Sequence, residues 1–160
     1  MMLYINKDRL SWGKTFYVLG EDDRKKYRVE PSIFLMKKKF VVKDMNKKTL
    51  FTIQSDPMSL LKKKFHIIID GEKKVTFSRE LSLFPKYDIE GINWSMANMD
   101  TEGYDMVSGD KTVLSFRESH STRHWTRNEL TFDDPADELL ALAVILTISY
   151  AMQMGDDDND

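Results

Sequence analysis

Hydrophobic and polar residues alternate with a period of two along most of this chain. Thr15 to Leu19 is rich in β-branched and aromatic residues, with Gly20 and Glu21-Asp22-Asp23 as a turn behind it. Tyr27 and Val29 alternate with Lys26, Arg28 and Glu30, the pattern of a strand with one buried face. Lys39 to Asp44 and Thr49 to Gln54 flank a turn at Met45-Asn46-Lys47, and the second puts Phe51 and Ile53 on one face. Phe65 to Asp70 runs into Asp70-Gly71, a strong hairpin signal, and Val75 to Ser78 returns. Further strands are predicted at Tyr87 to Gly91, Ile92 to Met99, Tyr104 to Val107, Val113 to Phe116 and Trp125 to Phe132, with Gly109-Asp110 as another turn. With Tyr4-Ile5 at the start, that makes about twelve short strands at the spacing of a sandwich or barrel.

The strands repeat. Lys37-Lys38-Lys39-Phe40 and Lys62-Lys63-Lys64-Phe65 each open a strand, a polar turn and a returning strand. A degenerate third copy starts near Ser82 and reaches Tyr87, so the unit is a two-stranded hairpin and the array a meander.

At Pro135 the period changes. Asp133-Asp134 offers a helix N-cap, Pro135 suits the first helical position, and Asp137 and Glu138 complement the helix dipole. Leu139 to Met152 is then apolar in every direction around a helical axis, and Gly155 marks an exit. A helix without a polar stripe is either a core element or a membrane span. Its apolar run of 14 residues falls short of the roughly 20 a span requires, and acidic rather than basic residues flank it. The prediction is a mainly β fold: a closed antiparallel barrel of about twelve strands around a central C-terminal helix. One domain covers residues 1–154, the helix about 135–153, and residues 155–160 form an acidic, disordered tail.

Composition adds a charge asymmetry. The net charge is −2, yet residues 1–90 hold 20 basic and 12 acidic side chains, whereas residues 91–160 hold 4 and 14. Such a split favours a basic face for an anionic partner. With no cysteine there is no thiolate chemistry, and the N-terminal residues do not form a signal peptide, so the expected location is cytoplasmic.

The order of short N-terminal strands, hairpins carrying Phe40, Phe65 and Tyr87, Asp-Gly turns and a terminal apolar helix resembles the LURP-one-related family. Ser32-Ile33-Phe34-Leu35-Met36-Lys37-Lys38-Lys39-Phe40 and Phe84-Pro85-Lys86-Tyr87-Asp88-Ile89-Glu90-Gly91 carry the likeness most clearly. The family is similar in fold to the C-terminal domain of tubby proteins and to phospholipid scramblases. The resemblance implies a twelve-stranded barrel around a helix, and a fold more than an activity.

The candidate ligand-binding residues are Lys37, Lys38, Lys39, Lys62, Lys63 and Lys64. If the hairpin repeat is structural, both triads occupy one end of neighbouring hairpins and can neutralise the phosphates of an anionic phospholipid or phosphoinositide headgroup. The competing reading is that lysines at strand entries maintain solubility and guard strand edges. His120 and His124 have helical metal-ligand spacing but sit in loop-like sequence with no third ligand nearby. Ser119 and Ser121 lack a nucleophile elbow, and no phosphate-binding glycine loop occurs. The expectation is therefore a non-enzymatic module without cofactor, binding anionic lipid at a membrane surface. A protein-interaction scaffold is the alternative, and a nucleic-acid-binding regulator ranks third because the chain is acidic overall.

Overall fold

The computed structural model describes residues 1–6, 12–34, 37–56, 62–80, 87–119 and 126–157. The first six strands are β1 (Met2–Asn6), β2 (Phe16–Leu19), β3 (Lys25–Phe34), β4 (Lys37–Asp44), β5 (Thr49–Asp56) and β6 (Lys62–Ile69). Six more follow: β7 (Glu72–Glu80), β8 (Tyr87–Glu90), β9 (Ser95–Ala97), β10 (Gly103–Ser108), β11 (Lys111–Ser119) and β12 (Arg127–Phe132). A 3-10 turn (Pro135–Asp137) then leads into helix α1 (Glu138–Asp157).

All twelve strands belong to one antiparallel sheet, in the order β8-β7-β6-β5-β4-β3-β2-β1-β12-β11-β10-β9. Within each of the two runs, sequence neighbours are spatial neighbours, as a meander requires. The pairing of β1 with β12 joins the runs, Leu3 opposite Leu130 and Ile5 opposite Asn128. The sheet curls into a nearly closed barrel whose ends are β8 and β9.

Turn chemistry sets the registers. Asp70 (φ 52°) and Gly71 (φ 78°) both take positive φ, as the tight turn between β6 and β7 requires. The β4–β5 connection uses Lys47 at φ 69°, and the Asp44 carboxylate accepts from the amides of Asn46 and Lys48. Ile92 to Met99 is less extended than its alternation suggests. Gly91 (φ 100°) turns the chain after β8, and Asn98 (φ 53°) ends β9, so only Ser95–Ala97 pairs.

One face of every long strand is apolar because one face is interior. Phe40, Val42, Phe51, Ile53, Phe65, Ile67, Val75 and Phe77 all point inward and are at most 3% exposed. Residues 141–148 of α1 are buried without a break, so the helix fills the lumen. At about 1.5 Å per residue it is roughly 30 Å long, which matches strands of eight residues at about 3.3 Å each. Residues 135–152 have the length and composition of a membrane span, but more than half of that stretch is buried within the barrel. The two aliphatic hydroxyls on the helix are spent internally: Thr147 donates to the Ala143 carbonyl (2.8 Å) and Ser149 to that of Ile145 (2.7 Å).

The helix is fastened toward both ends. Asp134 caps the entry through the Ala136 amide (3.0 Å), and Glu138 accepts from Lys26 (2.9 Å) and from the Tyr27 hydroxyl of β3. Burial first, then the Glu138 carboxylate, raises the Tyr27 pKa. Toward the other end Arg79 of β7 donates to the Ala151 carbonyl (2.8 Å), a charged donor on a carbonyl six residues before the helix stops. The helix continues through Gly155 to Asp157 instead of stopping before the glycine. A helical glycine costs about 1 kcal/mol relative to alanine, too little to end a helix so firmly held upstream.

Candidate functional site

The two lysine triads lie where the hairpin repeat puts them. β4, β5 and β6 are consecutive, and residues 37–39 and 62–64 begin β4 and β6 at the end of the barrel where α1 terminates. Lys39 is opposite Gln54, which in turn is opposite His66; Asp56 is opposite Lys64. Lys37 pairs with Phe34 and Lys62 with Glu80 in backbone register. Two strand spacings of about 4.8 Å plus a two-residue offset separate the Cα atoms of Lys39 and Lys64 by roughly 12 Å. One ligand headgroup or one patch of membrane surface can span that distance.

Strand alternation divides each triad. Lys39 and Lys64 share the outer face with Val41, Gln54 and His66, whereas Lys38 and Lys63 share the parity of the inward Phe40 and Phe65. The middle lysines therefore stand at the mouth of the barrel, around the end of α1. Lys63 is opposite Arg79, the residue that holds Ala151, and Ser55 of β5 donates to the Lys38 carbonyl (3.1 Å). Lys38 is exposed and Lys39 and Lys64 are half-exposed, and none of these three has an ion-pair partner among the described residues. Several other lysines are paired: Lys26 with Glu138, Lys43 with Glu30 (2.8 Å) and Lys74 with Glu72 (2.8 Å).

The sequence does not disclose the neighbours of His66, which stands among Phe65, Ile67 and Ile68 of β6. It is on the outer face, its Nδ1 is 3.0 Å from the Thr76 hydroxyl, and its Nε2 is 3.7 Å from the Asp56 carboxylate. Asp56 tempers the cationic face from within. Arg79 was also missed. Its signal was positional only: a basic residue two places beyond an inward phenylalanine, at the end of a strand.

The other half of the barrel is acidic and internally linked. The Asp100 carboxylate accepts from the amides of Glu102 (2.8 Å) and Gly103 (3.0 Å) and pairs with Arg117 (2.8 Å). The Glu102 amide above all, then those other donors, keeps the Asp100 carboxyl below its ordinary range. Asp105 accepts from Asn98 (2.9 Å) and Ser115 (2.7 Å), so this network clamps the 98–103 bend onto β10 and β11. A cleft of about 260 Å³ lies beside it, lined by Tyr104, Phe116, Ser149 and Met152 among others. None of Lys38, Lys39, Lys63 and Lys64 lines that cleft.

Ser119 ends β11 opposite Arg127. His120, Ser121 and His124 lie outside the described residues, as does the start of the third repeat copy. Among the described residues no group of three or more His, Asp or Glu side chains could hold a metal ion.

The architecture, the repeat and the terminal helix all bear on kinship, and the family comparison decides it: the family model for LURP-one-related proteins matches residues 1–149. The chain belongs to the LURP-one-related family. This LURP-one-related chain is also similar to the uncharacterised protein YxjI of Bacillus subtilis, 23% identical over 167 residues. That match covers 98% of the chain and 97% of YxjI, so the two correspond end to end. No solved structure matches.

Proposed function

We propose that this LURP-one-related domain is a non-enzymatic, cytoplasmic binding module that engages anionic phospholipid or phosphoinositide headgroups through the lysines at the start of β4 and β6. The observation behind the reading is the register. It gathers both triads at one end of adjacent hairpins and leaves Lys38, Lys39 and Lys64 without ion-pair partners among the described residues. The resemblance to tubby-type domains points the same way. At about 1 kcal/mol per basic residue near an anionic surface, three such lysines contribute about 3 kcal/mol, on the order of a hundredfold in partitioning. That is enough for reversible recruitment and too little for permanent anchoring.

The test is co-sedimentation with phosphatidylcholine vesicles, with and without phosphatidylserine or a phosphoinositide, at low and physiological salt. Binding is expected only to the anionic vesicles, to weaken with salt, and to fall by about two orders of magnitude when Lys38, Lys39 and Lys64 are changed to Ala. Equal binding to neutral and anionic vesicles removes the lipid reading. A protein-interaction role is the second reading, and the two unpaired sheet ends favour it.

A further inference from the structure

Among the described residues, ten of the twelve strands have a partner on both sides. The two that do not, β8 and β9, are the ends of the sheet and form the seam of the barrel: within that set β8 pairs with β7 alone, and β9 with β10 alone. An open strand edge presents unpaired backbone donors and acceptors, and proteins ordinarily blunt or cover it. Here the core beneath is also incompletely covered. Ile89 of β8 is opposite Phe77 of β7 and shares its inward face, yet Ile89 is half-buried while Phe77 is 1% exposed. Met96 of β9 is likewise half-buried, although its partner Met106 in β10 is fully buried. Trp94, between the two strands, is half-buried too.

The charged residues of the two seam strands themselves are Asp88 and Glu90. Residues 87–110 contain six acidic side chains and no basic one, whereas residues 25–80, which form β3 to β7, contain 15 basic and 6 acidic. Asp88 and Glu90 are exposed on the outer face of β8, opposite Ser78 and Thr76, and neither has an ion-pair partner among the described residues. An open edge, half-covered apolar side chains facing in, and carboxylates facing out specify a complementary strand. It would alternate apolar residues toward Ile89, Trp94 and Met96 with Lys or Arg toward Asp88 and Glu90.

We propose that the seam is a strand-addition site, at which an extended segment of a partner protein with alternating apolar and basic residues pairs along the open edge of β8. Backbone hydrogen bonds to β8 give the segment its hold, and the acidic outer face selects its charge. This surface borders the lysine end of β6: Lys64 and Asp88 are both opposite Ser78 on the outer face, roughly 10 Å apart across two strand spacings, so the acidic edge begins where the lysine patch stops. The inference stands whether or not lipid binds.

The probe is a blocked eight-residue peptide alternating Val and Lys, titrated into the isotopically labelled full chain and followed by amide chemical shifts. Saturable shifts confined to residues 72–97, with slowed amide exchange in Tyr87–Glu90, are expected. A Val–Glu peptide should not bind, and N-methylation of alternate peptide amides should abolish the shifts. Changing Asp88 and Glu90 to Lys together should weaken binding by about tenfold. Because both peptide controls use the unaltered chain, the test does not depend on that variant folding. No binding, equal binding of the Val–Glu peptide, indifference to N-methylation, or shifts elsewhere would each overturn the proposal. A dimer through residues 87–97 without peptide would overturn it as well, by showing the seam to be a contact between two copies.

Discussion

Ile145 gives the sharpest check on the helix as the core of this barrel. Its side chain is fully buried at the midpoint of the continuously buried stretch 141–148. Ile145→Ala removes three carbon groups worth about 0.8 kcal/mol each in transfer, and the cavity left behind brings the expected loss to about 3–4 kcal/mol. For a domain of this size, at about 2–4 °C per kcal/mol, the melting temperature should fall by about 10 °C while unfolding stays cooperative. Ile145→Asp is a different perturbation, because it places a carboxylate at a position that is 0% exposed within the apolar core. Burial would raise the introduced carboxyl's pKa, so the folded form holds its proton longer than the unfolded form. The penalty then grows as pH rises above about 4 and comes to several kcal/mol at neutral pH, comparable with the whole 5–15 kcal/mol stability of a typical domain. The assay is urea unfolding followed by tryptophan fluorescence and circular dichroism at pH 4.5 and 7.5, with exposed Thr131→Asp as control. Insoluble or unfolded Ile145→Asp at pH 7.5, with partial recovery at pH 4.5, is the expected result. A variant within about 1 kcal/mol of the parent at pH 7.5 would refute the placement of α1 in the lumen.

Three further outcomes follow from particular contacts. Gly91→Ala should cost at least about 1–3 kcal/mol in urea unfolding, since its φ of 100° disfavours a side chain and an added Cβ would lie 2.0 Å from the Lys74 carbonyl oxygen. Arg79→Met should lower stability by about 1.5–3 kcal/mol, because the Ala151 carbonyl loses a charged donor; Arg79→Lys should restore part of it. Burial raises the pKa values of Tyr27, Tyr104 and Tyr150, the last to about 12. These tyrosines favour the fold below their unfolded pKa near 10, and that contribution disappears as pH climbs through the folded values. Urea midpoints measured from pH 8 to 12 should therefore fall above about pH 10, and fall less in Tyr150→Phe.

Architecture was legible wherever a single physical rule decided the local structure. Alternation placed Phe51 and Ile53 inward, Asp70-Gly71 declared its turn, and the apolar girth of Leu139 to Met152 demanded an enclosing sleeve. The failures came where two influences competed. Alternation through Ile92 to Met99 reads as a strand, but the backbone turns at Gly91 and Asn98 shorten it to three residues. Gly155 looks like a stop, but a helix already packed along the lumen overrides a weak terminator. The lysine triads were legible as a repeat, and their common end followed from it. Their division into outward Lys39 and Lys64 and mouth-facing Lys38 and Lys63 required the register. The seam was less visible still, because which strands lack a partner is a property of the whole sheet.

The position of α1 in the chain carries a consequence for biosynthesis. Translation delivers all twelve strands before the segment that supplies their shared interior, and β1 must wait for β12, more than 120 residues downstream. Until residues 138–157 leave the ribosome, the apolar faces of Phe51, Phe65 and Phe77 have nothing to close upon. Those apolar strand faces stay accessible to chaperones and to self-association while synthesis proceeds at about 5–20 residues per second. Closure of the barrel is thereby deferred until residues 138–157 have emerged, and a chain cut before residue 138 would have every strand and nothing to wrap around.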